Sequence, residues 1–97
     1  LQRQASARED RLAFYHFRDR DGHEVDIVIE RGVRAVAGVE VKAAGTVNEA
    51  DFRGLRKLRE VAGDRFVHGV VLYDGTATIP FEDRLHAVPI RSLWETP

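Results

Sequence analysis

Cysteine is absent from this chain, which excludes disulfides and thiolate metal sites. Methionine is absent too, so there is no initiator residue, and the chain opens on a polar run over residues 1–11, L-Q-R-Q-A-S-A-R-E-D-R. We therefore expect the C-terminal part of a longer protein, with residues 1–11 a helix end or linker. No apolar run approaches the roughly 20 residues of a membrane helix. No signal-peptide pattern is present either, so a cytoplasmic protein with no membrane partner is expected. Excess charge of one sign is also missing: 15 basic and 16 acidic residues leave a net charge of -1. Any affinity for nucleic acid must then come from a local patch. There is no G-x-x-x-x-G-K-[ST] phosphate loop, so an ATPase module would have to lie upstream of these residues. The four histidines, His16, His23, His68 and His86, show no close metal spacing and read as strand or turn residues. His23 is the one nearest in sequence to Asp26. Lysine is scarce: Lys42 and Lys57 stand against 13 arginines.

What is present suits one globular domain. The 97 residues are 43% hydrophobic and 32% charged, enough for a modest core. Residues 12–18 (L-A-F-Y-H-F-R) are aromatic-rich and predict a strand. Residues 19–22 (D-R-D-G) predict a hairpin turn. In the next strand Val25, Ile27 and Ile29 alternate with Glu24, Asp26, Val28 and Glu30. A turn at residues 31–34 leads to a third strand over 35–43, where Gly38 marks a bulge or close packing. These three strands form an antiparallel meander.

A helix follows. Asn48 can cap it, Glu49 and Asp51 suit its positive end, and Phe52, Leu55, Leu58 or Arg59, and Ala62 recur at helical spacing before Gly63 stops it. Residues 67–73 (V-H-G-V-V-L-Y) then read as a strand buried on both faces and paired in parallel after a crossover helix. Residues 76–79 and 85–90 are short strand candidates, and Ser92, Leu93 and Trp94 are expected to dock on the core. The class is α/β (α+β): a mixed sheet with an antiparallel meander, a crossover helix and further strands.

The stretch over residues 25–42 carries the chemistry. Its apolar strands hold Asp26, Glu40 and Lys42. Glu40 and Lys42 are two apart and share a strand face, about 6.6 Å apart along the chain. If the polar faces of the second and third strands coincide, the three side chains converge. Two carboxylates and the Val41 carbonyl are hard oxygen ligands suited to Mg²⁺ or Mn²⁺. Lys42 can stabilise charge on phosphorus. The plain alternative is a solvated outer face, because D…E-x-K occurs by chance in a chain with 16 acidic residues. Arg53 and Arg56, on the helix that begins just after this strand, are candidate contacts to a nucleic-acid backbone.

The runs V-D-I-V-I-E and G-V-E-V-K-A-A resemble the core of the PD-(D/E)xK, or restriction-endonuclease-like, nuclease superfamily. More narrowly, residues 15–94 are similar to the domain of unknown function that ends many predicted AAA-type ATPases. The landmarks are Y-H-F-R, D-G-H-E-V-D, E-V-K-A, D-F-R-G-L-R-K-L, G-V-V-L-Y and A-V-P-I-R-S-L-W. The resemblance implies a nuclease-like domain over residues 12–97, attached to an upstream ATPase. It implies that Asp26 and Glu40 bind the metal, that Lys42 completes the site, and that DNA is the substrate. Val25 stands where the superfamily has Pro. The superfamily also draws an acidic residue from a helix before the first strand, for which Glu9 or its neighbour Asp10 is available. A reading of another class is a catalytically silent module that uses the same scaffold to bind a partner or regulate the ATPase.

Overall fold

The computed structural model describes residues 11–94. Strand β1 (Leu12–Arg18) and strand β2 (Glu24–Arg31) pair antiparallel, as do β2 and β3 (Ala35–Lys42). The β1–β2 turn is built by Asp19. Its Oδ1 accepts from the backbone N–H groups of Asp21 and His23, both at 2.9 Å, and Gly22 takes φ +91°. That left-handed conformation suits glycine. The expected meander therefore forms.

The helix starts as the sequence predicts. Asn48 Oδ1 accepts from Ala50 N, and the Asp51 carboxylate accepts from Asn48 N, a reciprocal capping box. One 3₁₀ turn (Glu49–Phe52) runs into helix α1 (Arg53–Ala62), and Gly63 ends it at φ +61°. Strand β4 (Phe66–Tyr73) returns parallel to β3; β6 (Leu85–Pro89) lies parallel to β4, and the edge strand β5 (Ile79–Glu82) runs antiparallel to β6. The sheet order is β1-β2-β3-β4-β6-β5.

Helix α1 covers one face of this sheet. Phe52, Leu55, Leu58 and Ala62 meet Val25, Val28, Val36, Phe66, Val71, Tyr73, Leu85 and Ala87 in a single buried cluster. The fit is close at two glycines. A Cβ on Gly54 would stand 1.8 Å from the Glu24 carbonyl oxygen, and one on Gly38 would stand 2.7 Å and 2.8 Å from methyls of Leu55 and Leu58. Helix backbone therefore rests almost on β2 at Gly54.

Four expectations are corrected. Val25, Ile27 and Ile29 do not share a face. Tyr15 pairs with Val28 and Phe17 with Val25, so Asp26 and Ile27 together oppose His16 alone. This β-bulge shifts the period-2 phase and turns Val28 inward with Val25, leaving Ile27 exposed. Strand β4 is not buried on both faces, since Val67 is 54% exposed. The candidate strand at 76–79 begins only at Ile79 and runs through Pro80, which an edge strand tolerates. Leu93 and Trp94 do not dock on the core; Trp94 is 75% exposed. Among the described residues, no helix is long and apolar enough to cross a membrane.

Candidate functional site

The bulge decides where Asp26 sits. The β2–β3 ladder ends at the Ile27–Val39 pair, one residue short of Asp26. Beyond that point the Asp26 side chain replaces the missing backbone partner: its Oδ2 accepts from Val41 N at 2.9 Å. Asp26 is therefore anchored where the two strands part. Glu40 lies across that gap, with its carboxyl in hydrogen-bonding contact with that of Asp26. Burial first, then the side-chain hydrogen bond and like charge of Asp26, push the Glu40 carboxyl up to about 8 against a backbone hydrogen bond from Asp26 that works to lower it; Glu24 adds a smaller like-charge effect. Two carboxyl groups thus share one site, and among the described residues no basic side chain forms an ion pair with either. Glu24 itself is engaged by Arg18 at 3.3 Å and by His16 at 3.8 Å.

Lys42 is drawn the other way. Its Nζ donates to Asp51 Oδ2 at 2.5 Å, and the same oxygen accepts from Asn48 N at 2.7 Å. Burial works to raise the Asp51 pKa, but the Lys42 and Asn48 hydrogen bonds outweigh it and hold the carboxyl below its ordinary range. Glu40, Val41, Lys42, Ala50, Asp51 and Val71 line one open cleft of about 280 Å³. The sequence presents Asp51 only as a helix-start residue. Its link to the site residue Lys42 could have been found from the capping pattern N-E-A-D together with the short loop that joins β3 to it.

The two arginines differ. Arg56 pairs with Glu49 at 3.1 Å and Glu82 at 3.2 Å, and its guanidinium lies 5.2 Å from the Phe81 ring centroid. It ties α1 to β5. Arg53 is exposed, makes no ion pair among the described residues, and lines a second cleft with His23, Arg56, Lys57 and Glu60. His23 does not reach the Asp26–Glu40 pair: its Nδ1 bonds Asp19 Oδ2 at 2.9 Å within the β1–β2 turn. That turn also gathers Asp19, Asp21 and His23 with ligand-type atoms within 4.8 Å of one another. Asp19 Oδ1 is occupied by the two backbone N–H groups of the turn. Glu9 and Asp10 lie outside the described residues.

Hard oxygen donors and partial burial suit a small divalent cation, which would take the place of the proton held by Glu40. Asp26, Glu40 and the Val41 carbonyl would hold it, and Lys42 would stand beside it.

Fold and site together define an α/β domain whose mixed sheet carries an acidic pair and a lysine at the divergence of two strands. The chain belongs to the family described as "Domain of unknown function (DUF4143)", which matches residues 1–93. No curated protein and no solved structure matches it.

Proposed function

We propose that this domain is a metal-dependent phosphodiesterase acting on nucleic acid, with the PD-(D/E)xK arrangement, Mg²⁺ or Mn²⁺ as cofactor, and an AAA-type ATPase upstream in the same protein. The observation that supports it most is the Asp26–Glu40 contact. Burial and the neighbouring Asp26 make the ionised form of Glu40 unfavourable, and a divalent cation would favour the fully ionised pair. A cation bound there would supply Lewis-acid polarisation of the phosphate and a more acidic water. Asp26, fixed by Val41 N, and Glu40 would orient that cation. Lys42 would donate to a nonbridging phosphate oxygen as water oxygen forms the new bond to phosphorus and the bond to the leaving sugar oxygen breaks. The attacking water gives up a proton to solvent, and the leaving oxygen takes one from it. Arg53, exposed on α1, would contact the backbone phosphates.

Calorimetric titration with Mn²⁺, alongside cleavage of single- and double-stranded DNA, tests the proposal. Asp26→Asn and Glu40→Gln should lose metal binding, whereas Lys42→Ala should keep it and lose cleavage. No metal binding up to the millimolar range, with no cleavage of any DNA form, would sink the idea. The sheet face away from α1 favours a second reading. Leu12, Phe14, Ile27, Val41 and Val67 are all exposed. A patch of this kind marks an interaction surface. In that case the domain is a catalytically silent module that docks on its ATPase.

A further inference from the structure

We propose that Asp51 is a positioning residue for Lys42, fixing the lysine ammonium in the cleft beside Glu40. The inference rests on the phosphodiesterase reading above. A lysine on a four-carbon stem samples many rotamers unless an acceptor holds it. Asp51 is such an acceptor, and it is itself immobilised. Its Oδ2 takes the Lys42 Nζ donor at 2.5 Å and the Asn48 backbone donor at 2.7 Å, while Asn48 Oδ1 takes the Ala50 N–H at 3.0 Å. The Asn48 backbone N–H, which any residue at that position except proline supplies, thus orients Asp51, and Asp51 orients Lys42. Both side chains are about three-quarters shielded from solvent, at 26% and 21% exposure, unlike Glu49 in its ion pair with Arg56, which is 77% exposed.

The alternative is an ordinary ion pair that staples β3 to the start of α1. Residue choice argues against it. This chain uses arginine at 13 positions and lysine at two. An arginine's five-donor fork is the better staple for a carboxylate. Lysine instead brings a compact point charge with three N–H donors, of which one meets Asp51 and two remain for phosphate oxygens. Lys42 and Asp51 also line the same cleft as Glu40, so the held ammonium and the Glu40 carboxyl face one open space.

Lysine acetylation followed by mass spectrometry reads the link directly, since Lys57 is the sole other lysine and serves as the internal reference. In the unaltered chain Lys42 should label more slowly than Lys57. Asp51→Asn should raise Lys42 labelling several-fold. Asn48→Ala should leave it near its original rate, because the Asp51 carboxylate and the backbone N–H it accepts from are retained. With Mn²⁺ and a DNA duplex, Asp51→Asn should lower kcat on the order of a hundredfold with KM little changed, the effect of a misplaced catalytic group. Asn48→Ala should retain cleavage. Should Asp51→Asn fail to fold by circular dichroism, Asp51→Glu carries the test: a carboxylate displaced by one methylene should raise labelling and lower kcat together. Unchanged Lys42 labelling in the Asp51 variants overturns the proposal. So does an equal rise in Asn48→Ala, or faster labelling with cleavage intact. If the parent chain cleaves nothing, the phosphodiesterase reading fails, and labelling still decides whether Asp51 holds Lys42.

Discussion

Two charged clusters differ in one respect that separates architecture from chemistry. Around α1 and β5, Arg56 and Arg59 meet Glu49 and Glu82, and each charge has an opposite partner within about 3 Å. At the parting of β2 and β3, Asp26 and Glu40 lie together, and neither forms an ion pair with a basic side chain among the described residues. The matched cluster is complete and holds two elements together. Above about pH 8 the unmatched pair carries two like charges on rigid strands, and below it the Glu40 carboxyl holds a proton instead. A search of this fold for function should therefore follow unbalanced charge held on rigid strands rather than the richest salt-bridge network.

The comparison can be broken in four ways. The largest effect is expected from Lys42→Ala, which should cut metal-dependent cleavage on the order of a hundredfold or more while thermal unfolding shifts little. A loss of cleavage that merely tracks a loss of folded protein would put Lys42 with the matched cluster instead. Next is Gly54→Ala, which moves the helix whose start carries Asp51. Its Cβ meets the Glu24 carbonyl at 1.8 Å, so the helix must lift, at a cost of about 3 kcal/mol in chemical denaturation. Gly38→Ala meets side-chain methyls of Leu55, Leu58 and Val25 rather than backbone and should cost about 1 kcal/mol. Equal costs at the two positions would contradict the close seat of α1 on β2.

The third effect concerns pH. Glu40 titrates near 8 in the native chain against an ordinary value of 4.5. Between these values the folded state holds a proton that the unfolded state has released, so stability falls as pH rises from about 4.5 to about 8. Glu40→Gln should flatten that slope, and Mn²⁺ should oppose it in the parent but not in the variant. A slope that survives Glu40→Gln would assign it elsewhere. The smallest effect is at Glu82, whose pKa is lowered first by the Arg59 hydrogen bond and then by Arg56, with burial opposing. Its contribution is present above the ordinary value and lost as pH falls through the lowered one. Glu82→Gln should weaken only the acid limb of the stability profile, lower the Tm slightly and leave cleavage unchanged. A loss of cleavage there would mean that the matched cluster is not merely structural.

Much of the scaffold was legible from residue order. Asp19 and Gly22 marked the first turn, Asn48 the helix start, Gly63 its end, and Phe52, Leu55, Leu58 and Ala62 its buried face. Asp26, Glu40 and Lys42 stood out because apolar strands have little use for them. Other features were not legible. Period-2 alternation carries no sign of an extra residue opposite His16, so the faces of Ile27 and Ile29 were misassigned. Arg53 and Arg56 looked alike on the helix, yet Arg56 is held by Glu49 and Glu82, the latter 26 residues away. The long apolar run of β4 suggested cover on both faces, whereas the described residues put a helix on one.

The sequence by itself determined the elements, their order and the residue types of the site, because capping, turn geometry and hydrophobic period are local. Tertiary structure alone decided that Asp26 reaches Val41 N, that Glu40 lies against Asp26, and that Lys42 is held by Asp51. Those contacts depend on where β2 leaves β3 and on how the start of α1 returns over the sheet, and both are set by packing between segments distant in the chain.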